Sequence, residues 1–412
     1  MYLCTDLFYL IVSVAFMTVF FRKNVSPAFK GTALVVLLSA GTFLTSCIKD
    51  EPLNAECDME EAFIHTNAPL DLFYNASDTL VRVPYSDNTV VFSVRRQADL
   101  TRLAPRFRLT EGATISPENG SEHDFSQGPV TYRVTSEDGQ WHRDYEVRFN
   151  HVVKMENTTV NFDFEHFNLE AKENRYYEWH NLLEDGTLGN DWATGNPGFR
   201  LSKSSAQPEE YPTVPMQEGY DGYGVQLTTR DTGGFGVMVN MRLAAGNLFL
   251  GSFDVTQALK DAMRATAFGV PFDKQPRKFS GYYKYTPGPK FQDKQGKEVA
   301  GREDRAAIYA VLYRNHDAEG NAVTLFGDNV KSSDLIVAIA DLGPVGPTPE
   351  WTAFELTFDY LQEVDLDLLA NRGYNLAVVA SSSEEGDKFE GAIGSTLCVD
   401  KFSIVCEEEI QP

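Results

Sequence analysis

From Val130 to Phe149 the chain reads VTYRVTSEDGQWHRDYEVRF, an alternation of apolar and polar residues interrupted once, around Asp138-Gly139. Side chains of an extended strand point to opposite faces in turn, so this period of two places Val130, Tyr132 and Val134 on one face. Beyond the break, Tyr145, Val147 and Phe149 share a face in the same way. An Asp-Gly pair between two such runs predicts a hairpin. VRVPYS and TVVFSVRR, upstream, have the same period. From Asn157 onward come further strand-like runs: VNFDFEHF, GVMVNMRL, KFSGYYKY, AAIYAVLY, LIVAIADL, AFELTFDY, YNLAVVASSS and STLCVDKFSIVC. Long loops rich in Gly and Pro separate them, and only Val255 to Thr266 (VTQALKDAMRAT) has a helical pattern. Many non-local strands joined in this way predict an all-β chain, with a β-sandwich of jelly-roll type in its larger part.

At 412 residues the chain is long for one all-β domain, and 42% apolar residues are enough for packed cores, so two domains are expected. A net charge of −23 repels nucleic acid and suits an anionic exported body. Cys398 and Cys406 lie eight residues apart in one apparent strand, too far to pair if it runs straight. No Cys and His spacing fits zinc.

The apolar run from Gly31 to Phe43 has thirteen residues, short of the roughly 20 that cross a bilayer. Arg22, Lys23 and Lys30 flank it on the N-terminal side, and the order Leu44, Thr45, Ser46, Cys47 after it resembles the bacterial lipobox. The resemblance implies cleavage ahead of Cys47 and acylation of that residue, which anchors a chain without a transmembrane helix. Leu7 to Phe21 is a second apolar run, which fits a translation start near Val25 with residues 1–24 assigned too early. Residues 1–46 then form the signal region and 47–57 a lipidated tether. Lys49-Asp50-Glu51 resembles the export mark of lipoproteins displayed on the cell surface.

The stretch from ADLTRLAPRF to DYEVRF resembles the small immunoglobulin-like repeat of Bacteroidetes lipoproteins and sets a first domain at 58–153. GNDWATGNPGF, YPTVP, GYDGYGVQLTT, AAGNLFLGSF, GYYKYTPGPKF, IYAVLY and YNLAVVASSSEEGDKFEGAIGSTLCVDKF resemble, in order and spacing, the "putative carbohydrate metabolism domain" of the same lipoproteins. The architecture implied is an Ig-like β-sandwich followed, over 157–408, by a larger jelly-roll β-sandwich similar to carbohydrate-binding modules.

No G-x-S-x-G elbow, Walker loop or dinucleotide fingerprint occurs. Sugar binding needs flat aromatic faces together with amides and carboxylates. The loops supply both in Trp192, Asn196, Tyr211, Tyr220, Asp221 and Tyr223, with Tyr282, Tyr283 and Tyr285 on a later strand. Glycoside hydrolysis needs two carboxylates about 5 to 9.5 Å apart, for which Glu178, Asp191 and Asp221 are candidates. Asp163 and Glu165 on the first strand and Asp400 on the last are candidate oxygen ligands for a structural calcium, and no other cofactor is expected. The function expected is an outer-membrane lipoprotein, exposed at the cell surface, that binds glycan through its jelly roll, alone or within a polysaccharide-uptake complex. The alternatives are a glycoside hydrolase on the same scaffold and a structural or adhesive surface protein. Serine cannot form the thioether to diacylglycerol, so Cys47→Ser should leave an unlipidated precursor, read by mass spectrometry of the membrane fraction. Normal levels of mature, acylated mutant would refute the anchor.

Overall fold

Asp138 and Gly139 lie in the turn between the strands Val130–Thr135 and His142–Val152. Their register pairs Val130 with Val147 and Tyr132 with Tyr145, which brings the two apolar faces together. Tyr132, Val134, Tyr145 and Val147 are fully buried as a result. The protein is seen here in a computed structural model that describes residues 52–183 and 186–410. Cys47 and the signal region 1–46 lie outside the described residues. A boundary between two compact units falls between His151 and Val152.

The first unit has the strands Thr89–Arg95, His142–Val152, Val130–Thr135 and Thr114–Ser116 in one sheet, and Leu80–Arg82, Met59–Phe63 and Arg106–Leu109 in another. Phe92 stacks on Phe149 in the shared core, with ring centroids 4.7 Å apart. Arg95 is buried in that core. Its Nε donates to the carbonyls of Leu70 (2.7 Å) and Phe73 (3.1 Å), and its guanidinium lies 4.4 Å over the ring of Tyr74. These partners offset the cost of burying a charge.

The second unit is a sandwich of two antiparallel sheets. One runs Thr213–Met216, Gly224–Thr228, Thr396–Glu409, Gln275–Thr286 and Thr348–Thr357, with Met155–Phe162 added on Thr396–Glu409. The unit's first strand therefore pairs with its last, Phe162 opposite Phe402. The other sheet runs Trp192–Ala193, Asn247–Phe253, Tyr374–Ser381, Ala307–Arg314, Ile336–Asp341 and Asp359–Tyr360, with Thr266–Phe268 and Val270–Phe272 attached. Ile308, Ala310, Leu312 and Val378 point inward to meet Phe279, Phe354 and Phe402 of the facing sheet. Tyr309, Val311, Tyr313 and Val379, of opposite parity, are also buried, in an outer apolar layer with Phe249 and Phe268. Burial on both faces explains why AAIYAVLY and YNLAVVA read as continuous apolar runs.

Two segments depart from the sequence expectation. Val255 to Thr266 is not one helix but an α-turn at Val255–Ala258, a 3-10 turn at Ala262–Arg264 and the strand Thr266–Phe268. The chain must reverse there so that Thr266 can pair with Phe253. GVMVNMRL is not a strand. It lies in the helix Gly233–Met238 and a turn at Asn240, whose φ is 57°, before the short strand Leu243–Ala244. Gly236 makes this possible, because a Cβ there would lie 2.5 Å from the Met241 carbonyl oxygen. None of the described helices is long and apolar enough to cross a membrane.

At one end of the second unit, the buried Asp304 ties three loops together. Its carboxylate accepts the hydroxyls of Ser383 and Ser395 and the amide of Ala392, each at 2.7 Å, and the amide of Arg305 at 2.9 Å. Burial pushes its carboxyl above the ordinary carboxylate range while these donors pull it back. Asp304→Ala orphans several buried donors at once and should cost about 3 kcal/mol or more. The drop would be read as a lower denaturant midpoint, and a loss under about 0.5 kcal/mol would contradict this role.

Candidate functional site

Along Gln275–Thr286 the side chains alternate between core and water. Tyr285 points inward, is fully buried and donates to the Ser382 carbonyl (3.2 Å), and Tyr283 packs against the core. The opposite parity puts Tyr282 and Lys284 on the outer face. On the neighbouring strand Thr348–Thr357, Phe354 and Leu356 turn inward, so Trp351, Ala353 and Glu355 turn outward. The turn at Gly219–Gly222 then sets Tyr220 over Tyr282, with centroids 3.5 Å apart and planes at 10°. Trp351 stands edge-on to Tyr220 at 6.3 Å, and the Lys284 ammonium lies 5.0 Å over the indole. Tyr220 is 47% exposed. A hydrogen bond to Tyr282, reinforced by that neighbour's charge, holds its phenol above the ordinary range. Three aromatic rings thus meet on a water-facing sheet surface.

Carboxylates hold the turn that carries Tyr220. Asp400 is fully buried on the last strand, and it accepts the amide of Asp221 (3.0 Å), the amide of Lys401 (2.7 Å) and a bond from the Tyr220 amide. Burial pushes its carboxyl up, and these bonds and Lys401 oppose the shift. Glu165 accepts the Tyr223 amide at 3.1 Å. The Lys401 ammonium stands 3.6 Å from Glu165 and 3.5 Å from Asp221. Burial pulls that amine down, but Asp221, Asp400 and Glu165 together hold it above its ordinary value. Gly219 is required by close approach, since a Cβ would lie 2.7 Å from the Gly224 nitrogen.

Of the residues expected to hold calcium, Glu165 and Asp400 do meet, through the pairing of first and last strands. They meet around an ammonium and backbone amides, which occupy the oxygens a cation would need. Asp163 caps the local turn by accepting the Glu165 amide (3.2 Å), and no cluster of three ligating side chains occurs among the described residues.

The six residues expected to face a ligand divide. Tyr220 and Asp221 are at the open surface, and Tyr223 is half-buried, edge-on to Phe167 at 5.0 Å. Trp192 packs into the core between Phe162 (5.1 Å) and Phe164 (5.4 Å), and its Nε1 donates to Asn181 (2.6 Å). It pairs with Leu250 on the eight-stranded sheet, which turns its ring inward and leaves no flat face for a sugar. Asn196 is fully buried and clamps the Thr213 backbone, its Nδ2 donating to the carbonyl (2.8 Å) and its Oδ1 accepting from the amide (3.0 Å). Tyr211 is buried against Phe199 and Tyr176. Trp351 was not among the expected residues, although its alternation with Ala353 and Glu355 marks it as outward-facing.

The candidate hydrolytic carboxylates form no hydrogen-bonded pair with one another. Asp221 is 79% exposed and paired with Lys401. Glu178 is exposed, and partial desolvation with Glu170 nearby raises its carboxyl against the pull of His180. Asp191 is half-buried. Asp400→Ala should cost about 1–3 kcal/mol through orphaned amides and disrupt the Tyr220–Tyr282 stack, read by denaturant unfolding and near-ultraviolet circular dichroism. Asp221→Ala, which removes an exposed ion pair, should stay within about 0.5 kcal/mol of wild type. Equal effects of the two substitutions would refute this assignment of the turn's support.

Comparison with known proteins supplies the context. Residues 73–148 match the family model described as "SGBP, N-terminal", and residues 163–405 match the model described as "Putative carbohydrate metabolism domain". A crystal structure from Bacteroides thetaiotaomicron, described as a putative glycoside hydrolase, is 35% identical over 88% of this chain and 99% of its own, with a TM-score of 0.55. Another so described, from Bacteroides vulgatus, is 39% identical over 60% of this chain and 97% of its own, with a TM-score of 0.56. No curated protein matches. The motif resemblance, the all-β sandwich and these matches agree on a glycan-associated role, and the chain belongs to the "putative carbohydrate metabolism domain" family.

Proposed function

We propose that the protein binds glycan on the outer face of the six-stranded sheet, with Tyr220, Tyr282 and Trp351 as the stacking surface. The observation that carries this reading is the juxtaposition of three rings on the outer face, the exposed Tyr220 stacked on a half-buried Tyr282 at 3.5 Å with a half-buried Trp351 at 6.3 Å from it. Contiguous exposed apolar surface usually marks a binding site. The C–H faces of a sugar ring pack on aromatic faces, and its hydroxyls need polar groups at the edge. Lys284, Asp221 and the Tyr220 phenol stand there. The N-terminal match to a surface glycan-binding type supports display outside the cell, with the lipid on Cys47 as anchor, the first unit as spacer and a polysaccharide-uptake complex as the setting.

Hydrolysis is the second reading. It is favoured by the descriptions of the two Bacteroides structures and by the raised Glu178 carboxyl, which suits a general acid.

A glycan array on the chain from Ile48 onward, followed by a search for new reducing ends on each hit, separates the readings. Binding without products is expected. Trp351→Ala and Tyr220→Ala should each weaken the best hit about tenfold, near 1.4 kcal/mol, while leaving the melting temperature nearly unchanged. Trp192→Ala should instead destabilise the fold by about 3–5 kcal/mol. Products that vanish in Glu178→Gln would replace binding with hydrolysis, and no hit on any glycan would overturn both.

A further inference from the structure

On the other sheet, away from the aromatic platform, a recess of about 300 Å³ opens over the outer apolar layer. Its floor is Phe249, Phe268 and Val379, and its walls include Phe235, Phe253 and Met263 from the short helical segments and their loops. The volume is at the small end of the range for small-molecule sites, about 300–1,000 Å³, enough for a compound of two or three aromatic rings.

The hydroxyls of Thr232, Ser381 and Ser383 at the recess are committed to the protein. The Thr232 hydroxyl donates to the Met241 carbonyl (2.6 Å), Ser381 to the Ser383 carbonyl (2.9 Å) and Ser383 to Asp304 (2.7 Å). A pyranose placed here would set hydroxyls against the apolar floor, and the carboxylates of Asp328, Glu384 and Asp387 would replace only part of its bonds to water. An aromatic ring, by contrast, gains by burial alone. Charge narrows the choice further. Asp328, Glu384 and Asp387 line the recess, whereas Lys331, the one lining ammonium among the described residues, is bound to Asp341 at 2.6 Å and lies 5.1 Å over the Tyr309 ring. An anion would meet these carboxylates, and the described lining residues offer it no unpaired cation.

We propose that this recess is a second binding site, for a small uncharged aromatic compound, independent of the glycan platform on the other sheet. Two dyes share an anilinonaphthalene skeleton and test it: neutral N-phenyl-1-naphthylamine and 8-anilinonaphthalene-1-sulfonate, which adds a sulfonate. Each is titrated by fluorescence into the chain from Ile48 onward, which contains both compact units. The neutral dye should bind saturably at one per chain and at least tenfold more tightly than the sulfonate. Leu259 lines the recess and is 50% exposed, so Leu259→Trp fills the space at little cost to folding. It should weaken the neutral dye at least tenfold, and Met263→Trp should do the same, with melting curves confirming that both variants are folded. Trp351→Ala should leave the titration unchanged. The proposal is overturned by no saturable neutral binding, by equal binding of the sulfonate, by wild-type binding in both folded tryptophan variants, or by loss of binding in Trp351→Ala.

Discussion

The candidate site depends on one buried carboxylate. Asp400 sits where water cannot reach it, and the bonds it accepts from the turn at Tyr220 and Asp221 satisfy both partners at once. A buried acceptor of this kind must be filled, so the turn is fixed by a requirement of the core. The position of Asp400 follows in turn from the pairing of Met155–Phe162 with Thr396–Glu409. That pairing also delivers Glu165, just beyond the first strand, to the other side of the same turn. Closure of the sheet by its terminal strands and support of Tyr220 are therefore one structural event.

The two sheets of the second unit meet water differently, and this separates their roles. Apart from the recess over Phe249, the eight-stranded sheet is covered on both faces, so Val311 and Tyr313 are packing residues. The six-stranded sheet leaves part of its outer face open. Aromatic rings there gain nothing from the core, and Tyr220 and Trp351 keep apolar surface in contact with water at a cost that folding alone does not explain. On the proposed reading, that surface is the face on which a glycan stacks. The first unit, with its own core and a buried, fully engaged Arg95, is a self-sufficient sandwich that suits a spacer.

Much of this was legible in the sequence because alternation reports directly on which side of a sheet a residue occupies. The Val130–Phe149 hairpin and strands such as KFSGYYKY and STLCVDKFSIVC follow from it, whereas AAIYAVLY and YNLAVVA, buried on both faces, show instead as continuous apolar runs. GVMVNMRL did not, because its helix is decided by the close approach of Gly236 to Met241, a contact that no local pattern encodes. The site was half legible. Tyr220 and Asp221 flank a Gly-rich turn that alternation leaves exposed, whereas Trp192, Asn196 and Tyr211 lie in equally turn-rich sequence whose short elements fold inward onto the core. Composition cannot distinguish these cases, since each depends on tertiary pairing, as with Trp192 against Leu250. Trp351 was readable from its strand parity, but its meeting with Tyr220 across the sheet was not.

The chain has four tryptophans, Trp141, Trp179, Trp192 and Trp351, which makes a direct test available. Trp179 and Trp192 are buried in the second unit, Trp141 is exposed on the first, and Trp351 alone belongs to the ring cluster. Labelling with 5-fluorotryptophan gives each a fluorine resonance, assigned by single substitution, that can be followed as a bound glycan is titrated. The account predicts that the Trp351 resonance shifts to saturation while the other three stay in place. A stationary Trp351 with a shift at Trp141, Trp179 or Trp192 would contradict it.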